Sequence, residues 1–145
     1  MSDPFLFEPE AHDSDRMRAD LWEKIGEGEK NGDFTQLFLK GGCLFFASIL
    51  NEKLRLPLFY FSHTEDRYAH VFVKDAAKCY DYSGETTVDA LAKTYIGYLC
   101  VPKQMEPGDI LLAIRRKNLG DDLESRLFEI ANSEFSKRRE KYPHP

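Results

Sequence analysis

Cysteine, positive charge and long apolar runs are all scarce in this sequence, and each shortage excludes something. There are three cysteines, Cys43, Cys79 and Cys100. An odd, sparse set is no disulfide framework, and none lies in a C-x-x-C pair, so zinc-knuckle and thioredoxin readings have no support. Lys and Arg number 20 against 25 Asp and Glu, for a net charge of −5. A chain without a basic field does not bind nucleic acid generally, and it disfavours an anionic membrane surface. No stretch approaches the ~18 apolar residues of a membrane span. The opening MSDPFLFEPEAHDSDR is acidic and lacks the apolar run of a secretory signal, so a reducing cytoplasm is the expected compartment. Internal repeats and low-complexity tracts are missing as well. His63, His70 and Asp81 show no metal-ligand spacing, so neither metal nor cofactor is expected.

What is present is an ordinary globular composition with many rings. The 145 residues are 42% hydrophobic and 13% aromatic, with 11 Phe, 7 Tyr and 1 Trp. That length suits one domain with a real core. Residues 1–14 read as an arm with one apolar cluster, Phe5-Leu6-Phe7, and residues 15–145 as a single domain. Ser14 is placed to cap a helix from Asp15 to about Glu29, weakened by Gly26 and Gly28. Phe34 to Leu39 is a short aromatic approach to the break at Gly41-Gly42. Cys43 to about Arg55 reads as a helix that is apolar all round in its first half, hence buried, and Pro57 cannot continue it. Leu58–Ser62, Tyr68–Lys74 and Lys78–Tyr82 read as strands, with a hairpin tip at Thr64–Arg67. Thr86 or Thr87 is placed to cap a helix through about Tyr98. Pro107-Gly108 reads as a turn before a strand, Asp109–Ile114, and Asp121 to about Lys141 as a long amphipathic helix. The basic run Lys137-Arg138-Arg139 reads as a solvated helix end. The class is α+β: a central buried helix on an antiparallel sheet, flanked by N- and C-terminal helices.

Three residues stand out together. Cys43 opens the buried helix after two glycines, His70 sits in the middle strand, and Asp81 sits on the next one. The reactive form of a thiol is the thiolate, which a helix N-terminus and a neighbouring imidazolium both favour. Glycines at 41 and 42 let the backbone turn tightly into the helix and leave the Cys43 N–H free to hold an oxyanion. His70 would serve as base and then acid, and Asp81 would orient its ring. Register decides whether they meet. A four-residue loop, Lys74–Ala77, puts His70 directly opposite Asp81. A two-residue loop, Ala76-Ala77, leaves Asp81 diagonal to it. An odd loop without a bulge sends them to opposite faces. The plain alternatives are a small buried Cys43, a half-buried strand histidine, and an Asp81 that starts a turn with Ser83-Gly84. Cys79 and Cys100 read as inert core thiols.

GGCLFFASIL followed by AHVFV and KCYDYSG resembles the Cys–His–Asp core of the papain-like and transglutaminase-like cysteine enzymes. The resemblance covers residues 41–84. It implies a papain-like α+β core and acyl transfer through a Cys43 thioester, on an amide of a protein or small molecule. Members include peptidases, amidases, deamidases and transglutaminases, so the substrate stays open. Papain-type peptidases carry an oxyanion-hole Gln before the cysteine. Gln36, seven residues before Cys43, is the candidate here, without the usual motif around it. The chain is short for the two walls of a peptide cleft, which favours a small or single-side-chain substrate. The rival reading is a non-catalytic module (immunity, adaptor or inhibitor protein) that engages a protein partner through its acidic surface or C-terminal helix.

Overall fold

The computed structural model describes residues 11–62, 68–94 and 99–143. Among these, a five-stranded antiparallel sheet has the order β4-β3-β2-β1-β5. The strands are β1 (Leu58–Ser62), β2 (Tyr68–Asp75), β3 (Lys78–Asp81), β4 (Gly84–Thr87) and β5 (Leu99–Met105). Helices α1 (Ala11–Asn31), α2 (Thr35–Leu39) and α3 (Cys43–Leu54) precede the sheet. Helix α4 (Val88–Thr94) lies between β4 and β5, and α5 (Pro107–Arg116) and α6 (Asp121–Lys137) follow. The Thr64–Arg67 tip, the Phe5–Phe7 cluster and the side chain of Cys100 lie outside the described residues.

Alternation along the strands divides the molecule into layers. Val71, Val73, Leu58, Tyr60 and Tyr80 turn to the main core, which they share with α3 and the flanking helices. Phe61, Phe72 and Cys79 turn the other way and are covered by Leu91 of α4. Helix α3 is the centre of the main layer: Leu44, Phe45, Phe46, Ala47, Ile49, Leu50 and Leu54 are all buried. It packs on β1, β2 and β3 and against α2, α5 and α6. A helix apolar on every side needs neighbours on every side, and it has them. Its C-terminus closes with Arg55 in the left-handed region and the Asn51 side chain donating to the Leu56 carbonyl at 2.8 Å.

Several expected elements differ. The first helix runs straight through Gly26 and Gly28. A Cβ at Gly28 would stand 2.2 Å from the Phe34 ring, so this glycine admits an aromatic side chain rather than ending the helix. Phe34–Leu39 holds a full helical turn, α2. Asp109–Ile114 is helix, not strand. Pro107 opens α5 at its first turn, where its missing N–H costs nothing, and Ile110, Ala113 and Ile114 are buried at helical spacing. The helix after Thr87 is described from Val88 to Thr94, the rest of its expected span to Tyr98 lying outside the described residues, and the Thr87 hydroxyl caps it, accepting the Ala90 N–H at 3.1 Å. Strand β5 is masked in the sequence by Pro102, which a strand tolerates at an edge.

Candidate functional site

The entry to α3 is built from glycine. Gly41 takes φ +118°, which L side chains rarely adopt. A Cβ on Gly42 would meet the Leu37 carbonyl oxygen at 2.7 Å. The Gly42 N–H instead donates to that oxygen at 2.8 Å, so α2 folds back directly onto the start of α3. Gly42 is the residue before the first helical turn, no acidic side chain lies in that turn, and Cys43 stands half-buried as the first helical residue. The positive end of the helix therefore faces the sulfur.

The β2–β3 ladder pairs Asp75 with Lys78, Lys74 with Cys79 and Val73 with Tyr80. The two-residue Ala76-Ala77 turn is thus the one realised, with Ala76 at φ +55°. His70 and Asp81 lie past the last rung of that ladder, diagonal to one another and on one face. The His70 Nε2 and Asp81 Oδ2 are 2.8 Å apart, with both side chains buried. The other Asp81 oxygen, Oδ1, accepts the Ser83 N–H at 2.8 Å. Asp81 therefore begins a turn and is bonded to the imidazole at once.

With Nε2 given to Asp81, Nδ1 is the ring nitrogen left for sulfur, and the His70 ring and the Cys43 side chain act on one another electrostatically. Burial pushes the Cys43 thiol up, but the neighbouring His70 outweighs it. Lys117 and the Val71 backbone amide act in the same sense, and the thiol ends below its ordinary range. Burial also disfavours the charged imidazole, yet the bond to Asp81 and the neighbouring Cys43 reverse this and raise His70 to about 9. The two directions agree, each group favouring the charged form of the other. Cys79 behaves otherwise: its burial pushes the thiol up to about 11. The contrast follows from place, since Cys79 lies mid-strand under α4 without a cationic hydrogen-bond partner.

Lys117, at the C-terminal end of α5, is a charged group near the thiol that the sequence did not suggest. It is half-buried, and its charge acts directly on the Cys43 sulfur while burial pulls its own pKa down. Only the packing of α5 on α3 reveals it. Gln36 stands exposed on α2, and the groups acting on the thiol do not include it. The basic run at the end of α6 is not simply solvated. Arg138 donates to the Tyr82 carbonyl at 2.8 Å and lies 4.0 Å over the Tyr82 ring. His63 and His144 lie outside the described residues.

Compared with known proteins, the chain matches no family model, no curated protein and no solved structure. No helix among the described residues is long and apolar enough to cross a membrane.

Proposed function

We propose that this chain is a thiol-dependent acyl-transfer enzyme of papain-like or transglutaminase-like type, acting on an amide. The observation that carries the reading is the convergence of a half-buried Cys43, at a helix N-terminus, with a buried His70 that acts on its thiol and is itself bonded to Asp81 at 2.8 Å. A core cysteine needs none of these partners.

The chemistry follows from the positions. The Cys43 thiolate attacks the carbonyl carbon and forms a C–S bond. The developing oxyanion is met by the Cys43 N–H, which has no partner within its own helix. The His70 imidazolium gives its proton to the departing nitrogen as the C–N bond breaks, leaving a thioester and a neutral imidazole. His70 then takes a proton from water or a second amine as that nucleophile adds to the thioester, and the thiolate departs. Asp81 holds Nε2 throughout, which keeps Nδ1 aimed at the reacting atoms. Lys117 adds positive charge where the sulfur carries its negative charge.

The test uses a short-chain p-nitrophenyl ester as acyl donor with intact-mass detection. The expected result is an acyl adduct on Cys43 that turns over, absent in Cys43→Ala, with acylation slowed by about 10²- to 10⁴-fold in His70→Ala. No adduct on Cys43, or acylation at an unchanged rate in His70→Ala, overturns the reading in favour of the binding module.

A further inference from the structure

We propose that Tyr142 is a positioning residue for Asp81, so that the C-terminal end of α6 and the 3-10 turn after it (Arg139–Lys141) complete the site. The proposal rests on the thiol-enzyme reading above. Its basis is a set of bonds that the triad itself does not require. Asp81 lies past the last β2–β3 rung, so the ladder does not fix it against His70. Its backbone carbonyl instead accepts the buried Tyr142 hydroxyl at 2.7 Å. The same hydroxyl reaches the next carbonyl, that of Tyr82, at 3.3 Å, and Arg138 holds that carbonyl too.

Tyr82 extends the device to the nucleophile. Its hydroxyl donates to the buried Glu134 at 2.6 Å and accepts the Phe34 N–H at 3.3 Å. Its ring packs on Phe38 of α2 and Phe46 of α3. Phe34 begins the α2 segment that leads into Cys43. The C-terminal segment thus grips the short stretch joining the strand that presents Asp81 to the arm that presents the cysteine. Tyr142 is itself fixed by stacking on Phe135 at 5.5 Å. The charged groups near the reacting pair are Asp81 on β3 and Lys117 just after α5; Arg138 and Asp81 act on the Tyr142 hydroxyl, and Arg139 donates to the Tyr142 carbonyl at 3.2 Å.

Iodoacetamide labelling of Cys43 at about pH 6, resolved by peptide mass, reads the pair without any substrate. Tyr142→Phe should label about three- to tenfold more slowly than wild type, because a loosened Asp81 supports the imidazolium less well. Tyr80→Phe removes a tyrosine hydroxyl on the same sheet that faces Glu85 rather than Asp81, and should label as wild type. In an Asp81→Asn background Tyr142→Phe should add little. Unchanged labelling in Tyr142→Phe, or an equal slowing in the Asp81→Asn background, overturns the proposal. If Tyr142→Phe does not fold, Arg138→Gln takes its place with the same expectation, and unchanged labelling there overturns it equally. Wild-type Cys43 labelling no faster than Cys79 would instead sink the thiol-enzyme reading itself.

Discussion

At the scale of single residues, a buried imidazole is costly to charge unless a partner meets it. His70 is fully buried, and the Asp81 carboxylate 2.8 Å away is that partner. Asp81→Asn keeps an oxygen that the Ser83 amide can use, but it replaces a charge-assisted bond with a neutral one. We expect acylation to fall by about 10- to 100-fold and stability by about 1.5–3 kcal/mol, read by ester turnover and urea unfolding. A loss of stability with unchanged acylation would mark the pair as core architecture only. Cys43→Ala is the converse. The side chain is half-buried and small, so chemistry should vanish while unfolding at neutral pH moves by less than about 1 kcal/mol.

At the scale of elements, the junction of α2 and α3 sets where the sulfur sits. Gly42 is held by its own N–H and shielded by the Leu37 oxygen, and neither contact leaves room for a side chain. Gly42→Ala should cost about 1–3 kcal/mol and slow Cys43 labelling together, because the methyl group must push α2 away from the helix start. Equal labelling at lower stability would show that the helix start moves as a rigid unit with its cysteine. Sequence reading does well at this junction because glycine pairs and an apolar run are local signals. It does poorly at α5, where Asp-Ile-Leu-Leu-Ala-Ile has no visible period. The Pro107 before it opens a helix as readily as it marks a turn. Strands β4 and β5 escape it for a related reason: Gly-Glu-Thr-Thr and a proline-bearing segment gain strand conformation from their neighbours, not from propensity.

For the whole molecule, the thiolate–imidazolium pair ties folding to pH through two opposed slopes. His70 is raised from its ordinary 6.5 to about 9, so the folded state holds this proton more tightly than the unfolded chain. Its contribution is complete below 6.5 and is lost as the pH rises through about 9. The Cys43 thiol is lowered from its ordinary 9.0, so its contribution is present above that value and is lost as pH falls through the lowered one. Where the two windows overlap, folding moves a proton from sulfur to imidazole and changes the number bound very little. Wild-type stability to urea should therefore stay nearly flat between the lowered Cys43 value and about 9 as far as this pair is concerned. Cys43→Ala removes the thiol and leaves the Asp81 bond, so it should uncover the His70 slope, a decline as the pH rises above 6.5. The same slope in both proteins would assign the pH dependence to other groups.

The sequence by itself determined the α+β class, the buried helix behind its glycine pair, and the three residues worth testing, because each rests on local composition and spacing. Tertiary structure decided whether those residues meet. The Ala76-Ala77 turn carries no glycine to announce its type, yet it alone sets the diagonal relation of His70 to Asp81. The charge of Lys117 acts on the sulfur, and Tyr142 reaches Asp81, only because α5 and the end of α6 pack beside the central helix and sheet. Such contacts join residues far apart along the chain, and no local pattern encodes them.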